Sequence, residues 1–337
     1  MSATAVDTAP AARLRDVHIG FGRDGARPVV RGVDLDLVPG RVTALVGESG
    51  SGKSLTSLAL MGLLPPGARV SAGTVEIEGR DTAGFTDAQW RQLRGAKVAM
   101  VFQDPMAALN PSFTVGWQIA ETLRRRGTSR RAARERAVEL MRTVGIPDAE
   151  AKYGAYPHEF SGGMRQRAVI AMALTLDPAV LLADEPTTAL DVTVQAQILR
   201  LLAARQTDAG MAMLLVSHDL GVVARVAQDV AVMYAGRIVE TGALDDVYTA
   251  PAHPYTRGLL DAVPDPARPG RLVPIEGQPP APGTLPGGCA FAPRCPYATK
   301  VCATEDPHLT AVGTGHRAAC HHSDKVQAQA TDVEAAS

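Results

Sequence analysis

The 337-residue chain predicts an α/β fold with a small irregular cysteine-containing C-terminal extension, and three observations lead there. A β-branched run, Val42 to Val46, passes through a glycine-rich loop into a helical pattern. A second apolar run, Val180 to Ala183, ends in adjacent carboxylates. Beyond about Pro264 the composition turns to proline and glycine, and all four cysteines lie at or after residue 289.

The length suits one large domain with an appendage, or two domains. A hydrophobic content of 46% supports a substantial core. No apolar run approaches the roughly 18–20 residues of a membrane-spanning helix. The N-terminal stretch "MSATAVDTAPAARLRD" lacks the basic region, apolar core and cleavage site of a signal peptide, so a cytosolic setting is expected and disulfides are not. A net charge of −1 gives no electrostatic case for nucleic acid as a partner. The basic run "LRRRGTSRRAARER" reads as a solvated helix-and-loop surface. Only five lysines occur among 34 basic residues, which draws attention to Lys53.

In the first element, Val42, Ala44 and Val46 alternate with Thr43 and Leu45, as in a buried strand. Apolar residues then recur at helical spacing from Lys53 to Leu64, where Pro65-Pro66 stop the helix. Between them, Gly47-Glu48-Ser49-Gly50-Ser51-Gly52-Lys53-Ser54 fits G-x-x-x-x-G-K-[ST]. Glycines let successive N–H groups converge on phosphate oxygens, and the helix start adds partial positive charge. A lysine ammonium reaches the β/γ-phosphates, and the Ser54 hydroxyl suits Mg²⁺. The pattern predicts a nucleotide site.

The second element is "AVLLADEPTTALD". Asp184 stands at the strand tip, where a carboxylate can hold Mg²⁺ through water. Glu185 stands where an attacking water needs a base or a positioning acceptor. The chain lacks N-K-x-D, so guanine selectivity has no support. Between the two elements, "FSGGMRQRAVIAMAL" places Ser161-Gly162-Gly163 at the start of an apolar helix, again a set of N–H groups aimed at an anion.

In that order these segments resemble an ATP-binding cassette ATPase, with "FSGGMRQR" in place of the L-S-G-G-Q signature. The resemblance implies a P-loop NTPase cassette with a RecA-like α/β core, an antiparallel β subdomain and a helical subdomain. It places Gln103 at the Q-loop contacting Mg²⁺ and the γ-phosphate side, Asp191 in the D-loop, His218 at the switch position and Phe21 as the adenine-stacking aromatic. The stretches "FQDPMAALNP", "YPHEFSGGMRQR", "MYAGRIVETG" and "HPYTRGLLDAVP" narrow the resemblance to the ATPase subunits of peptide/nickel importers. Phe160 for Leu, Met164 for Gln and Thr188 for Ser depart from the general pattern; Met164 removes a polar side chain near the partner's nucleotide.

The resemblance implies a nucleotide-binding domain over residues 1–264, with the helical subdomain at about 104–165, and an extension over 265–337. It also implies a homologous or identical ATPase partner, two permease subunits, an extracytoplasmic solute-binding protein, and a peripheral place on the cytoplasmic face of the membrane. Peptide, nickel complex or another small solute stay open as cargo. Soluble cassettes of translation or DNA repair usually carry two cassettes or coiled-coil insertions, and neither is present. A nucleotide-binding sensor would not need Glu185 and His218, and many exporters fuse the membrane domain to the cassette.

Cys289, Cys295, Cys302 and Cys320 favour a metal over disulfides in a reducing compartment. No C-x-x-C knuckle of the usual zinc kind occurs, and Cys295-Pro296 echoes the end of some iron–sulfur runs. The resemblance implies that the four hold a 4Fe–4S cluster. Zinc, with His316, His321 or His322 as substitute ligands, and unmetallated thiols are the alternatives. A structural role is expected, since the extension is too small for a core of its own.

Overall fold

The computed structural model describes residues 9–187, 192–263, 274–281 and 283–328. Its strands are β1 (Ala12–Phe21), β2 (Arg27–Leu37), β3 (Val42–Val46), β4 (Ala68–Ile77), β5 (Arg80–Asp81), β6 (Val98–Val101), β7 (Val180–Asp184), β8 (Ala212–Ser217), β9 (Asp229–Tyr234), β10 (Arg237–Ala243), β11 (Thr310–Gly313) and β12 (His316–Ala318). One sheet is antiparallel in the order β2-β1-β4-β5, and the other runs β11-β12-β10-β9-β3-β8-β7-β6. In the second sheet β9, β3, β8, β7 and β6 pair in parallel.

The apolar runs explain this layering. All residues of β3, β6, β7 and β8 are buried, as expected of parallel strands covered on both faces. Within β3 the two faces divide by alternation: Val42, Ala44 and Val46 enter one core, while Leu45 enters the other. The second core also takes Leu14, Ile19 and Leu37 from the antiparallel sheet. That sheet therefore packs against the side of β3 opposite the helical segment.

The helix after the glycine-rich loop spans Lys53–Leu60, shorter than the sequence pattern suggests. It stops at Gly62, not at the prolines. Gly62 adopts φ +59°, and Leu63 N–H reaches back to Leu58 O while Gly62 N–H reaches Ala59 O, a paired C-terminal closure that leaves the later apolar residues outside the helix. A Cβ at Gly62 would also lie 2.3 Å from the Trp90 ring.

From Gln103 to Phe160 the chain is mainly helical, with Val115–Arg125 and Arg130–Thr143 as its longer elements. Ile119, Ala133, Ala137 and Met141 are fully buried on their facing sides. The arginine-rich run is the outer surface of these helices, with Arg125 on Glu121 and Arg131 on Glu135 at one-turn spacing. Such exposed pairs add little stability.

The extension joins the larger sheet. β12 pairs antiparallel with β10, aligning Ala318 with Glu240, and β11 pairs with β12. Glu240 is fully buried, accepts the N–H groups of Ala252 and His253 at 2.7 and 2.9 Å, and meets His316 Nε2 at 2.8 Å. Phe291 is buried against Tyr234 and Tyr255, with ring centroids 5.3 and 5.5 Å away. Burying such a side chain contributes about 1.5–3 kcal/mol. The extension thus shares the core of the main sheet, the physical answer for a segment of its size. The composition change at Pro264 lies outside the described residues. No described helix is long and apolar enough to cross a membrane.

Candidate functional site

β3 delivers the chain into the loop at Gly47, whose Cβ, were there one, would lie 2.1 Å from Met233 O; the backbone of β9 presses directly on the loop. Gly47, Gly50 and Gly52 all have positive φ, the geometry that turns successive N–H groups to one side. Ser49 and Gly50 are exposed at the loop crest, while Ser51 is buried. Ser51 O accepts from Gly236 N–H at 2.9 Å, tying the loop to the β9–β10 turn.

Lys53 is 6% exposed and its Nζ donates to Gly47 O at 2.7 Å and Glu48 O at 2.9 Å. Burial lowers its pKa, opposed by the charges of Glu185, Asp184 and Glu48. Asp184 ends β7, and burial raises its pKa against a hydrogen bond from Ser54. Its Oδ1 is buried with no hydrogen-bond partner among the described residues. An orphaned carboxylate oxygen beside a serine hydroxyl suits a hard divalent cation.

Glu185 stands one residue beyond the strand at φ +45°, a costly conformation for a residue with a side chain, and its N–H is held by Val216 O at 3.0 Å. The carboxylate is gripped from two segments. Gln103 Nε2 donates to Oε2 at 2.9 Å, and His218 Nδ1 meets Oε1 at 3.0 Å. Gln103 follows β6 and His218 follows β8, so the three residues meet at the carboxyl ends of neighbouring parallel strands, where open α/β sheets hold their ligands. The grouping can hold a water and accept its proton beside a bound phosphate.

Ser161 caps the helix Gly162–Ala173, its hydroxyl accepting from Met164 N–H at 3.3 Å. Ser161 and Gly162 are exposed, so this helix start is presented outward. Phe21 ends β1, paired with Arg27 and Ala68 in the antiparallel sheet, and is half-buried. Asp191 and Thr188 lie outside the described residues.

Three residues around Glu48 were not singled out from the sequence. Tyr255 accepts the Glu48 N–H at 2.7 Å, and Arg294 grips the Glu48 carboxylate with two bonds of 2.9 Å. Tyr234 lies against both, its ring centroid 4.6 Å from that of Tyr255. Burial opposes the Arg294 charge, but the bonds to Glu48 and Tyr234 more than offset it, and its pKa is raised. The stretches "HPYTRGLLDAVP" and "APRCP" were visible, but nothing local in them points to a loop more than 200 residues away.

The four cysteines carry free thiols and lie close enough to feel one another's charge. Cys289 N–H donates to Cys302 O at 2.9 Å. Burial pushes the thiols of Cys295 and Cys320 up to about 11, reinforced by the neighbouring cysteines. Among the described residues no group of three or more His, Cys, Asp or Glu is arranged to hold a metal ion. Each histidine named as a substitute zinc ligand has one ring nitrogen engaged: His316 Nε2 with Glu240, His321 Nε2 with Glu305 O, and His322 Nε2 with Thr299.

Comparison with known proteins places the chain in a class. Residues 30–188 match the family described as ABC transporter, and residues 239–302 match the oligopeptide/dipeptide transporter C-terminal region. The dipeptide transport ATP-binding protein DppD of Bacillus subtilis is 48% identical over 316 residues, covering 93% of this chain and 94% of that one. DppD of Escherichia coli is 46% identical over 308 residues, covering 91% and 94%. The dimeric post-hydrolysis structure of the ATP-binding cassette MJ0796, bound to ADP and Pi, superposes with a TM-score of 0.62 at 27% identity, covering 69% of this chain and 98% of that one. The fold and site define an ABC transporter ATPase. The chain belongs to the ATP-binding proteins of the oligopeptide/dipeptide transporter family.

Proposed function

We propose that this chain hydrolyses ATP to drive import of peptides or related small solutes through a separate pair of permease subunits. The convergence of Gln103, Glu185 and His218 beside Lys53, Ser54 and Asp184 carries the reading. The loop from Gly47 to Ser54 cradles the phosphates, with Lys53 as the point charge on the terminal one. Ser54, Asp184 and Gln103 would hold Mg²⁺, which neutralises phosphate charge when bound. Glu185 orients the attacking water and takes its proton, and Gln103 and His218 fix the direction of its carboxylate. Phe21 stacks on adenine. The outward start of the signature helix, Ser161-Gly162-Gly163 with Asp191 further on, completes the site of a second, identical or homologous ATPase, so two chains enclose two nucleotides. That arrangement accords with the dimeric state of MJ0796.

Within this reading residues 1–264 are the nucleotide-binding domain, residues 104–165 its helical subdomain facing the permease, and residues 265–337 the extension; the chain sits peripherally on the cytoplasmic side. Peptide as cargo is supported by the names of the DppD relatives. Reconstitution of the full chain with its partner ATPase, permeases and solute-binding protein in proteoliposomes tests it. ATP-dependent uptake of labelled di- and oligopeptides is expected. ATPase activity indifferent to peptide-loaded binding protein would overturn it.

We further propose that Cys289, Cys295, Cys302 and Cys320 hold a 4Fe–4S cluster. Four sulfur donors in one neighbourhood fit the cluster in number and kind. Their arrangement is not a ready metal cage, so binding would draw the cysteine loops together. Chain purified without oxygen is expected to contain about four irons. Iron-free protein refutes the assignment.

A further inference from the structure

Arg294 reaches the phosphate loop from the extension, 246 residues away in sequence. Its two terminal nitrogens donate to the two oxygens of Glu48, each at 2.9 Å, a forked pair that fixes both partners in direction as well as distance. The side chain is 5% exposed. Its Nε donates to Glu276 O at 2.9 Å, and the guanidinium lies 5.7 and 5.8 Å from the ring centroids of Tyr234 and Phe291. Arg294 is thus itself held rigidly, while Tyr255 holds the backbone of Glu48.

The acid at position 48 needs such a partner. It is the second residue of the loop that receives a polyanion, and its charge is felt at the Lys53 ammonium. Paired with Arg294 it contributes little net field. Unpaired, it would add a negative charge beside the phosphates and release the start of the loop.

We propose that Arg294 is a positioning residue for nucleotide binding: it clamps Glu48, holding the phosphate loop in shape and cancelling the one carboxylate within it. This rests on the reading of Gly47 to Ser54 as the ATP cradle. Arg294 touches no substrate and acts only through Glu48.

The test is MgATP affinity of the full chain carrying R294A, E48Q or both, with thermal melting measured alongside. R294A is expected to weaken ATP binding about tenfold, from the loss of charge-assisted bonds. E48Q in the R294A background removes the stranded carboxylate but leaves the loop unclamped, so it is expected to recover the charge part of the loss and to remain about threefold weaker than the unmodified chain. A purely structural arginine would lower the melting temperature without such rescue. Where R294A does not fold, R294K, which keeps a charge but loses the fork, is compared with and without E48Q in the same way. Unchanged affinity in the arginine variant, or a double variant no better than the single one, overturns the proposal. K53A binding serves as the separate control on the cradle: if it binds ATP normally, the site reading fails rather than the clamp.

Discussion

Lys53→Ala is expected to weaken MgATP binding by about a hundredfold or more, as charge-assisted contacts to two phosphates are lost at once. The lysine is nearly inaccessible and already oriented by Gly47 O and Glu48 O, so no neighbouring side chain can replace its ammonium. Its removal also leaves Asp184 and Glu185 without the cation that opposes their charges. Isothermal titration with MgATP measures the loss directly. A second measure is the melting temperature, which MgATP should raise for the unmodified chain and leave unchanged for the variant. Comparable binding by both proteins would remove the loop from its role.

Glu185→Gln is expected to lower the rate of ATP hydrolysis by about two to four orders of magnitude, the usual contribution of a positioned general base. The amide keeps the shape of the side chain and can still accept from Gln103, so the geometry at the end of β7 is retained. Nucleotide binding should persist, and with it a closed pair of chains detectable by light scattering in MgATP. Turnover within about threefold of the unmodified chain would assign proton acceptance elsewhere. The two substitutions separate the two halves of the site: one loses ATP, the other retains it unhydrolysed.

The site was legible in proportion to how local its chemistry is. The motif from Gly47 to Ser54 needs only a strand, a turn of positive φ and a helix start, all encoded within about a dozen residues. Asp184 and Glu185 were readable as the end of an apolar strand for the same reason. The helix end was misread because Pro65-Pro66 looked like the terminator, whereas Gly62 closes the turn first and the Trp90 ring leaves no room for a side chain there. The cysteines were visible as a group of donors. Their spacing in sequence could not say whether they form a metal cage, and the described residues contain none ready-made.

Sequence alone determined the cradle, the acidic strand tip, the capped helix at Ser161 and membership of the α/β class, because these depend on φ/ψ preference and hydrophobic period over short spans. Tertiary structure decided which of them meet. Gln103 reaches Glu185 across 82 residues and His218 across 33, because the crossovers set β6, β7 and β8 side by side. Arg294 reaches Glu48 only because the extension, lacking a core of its own, packs onto Tyr234 and Tyr255. Such meetings follow from the burial of whole surfaces, and no short span of the chain encodes that.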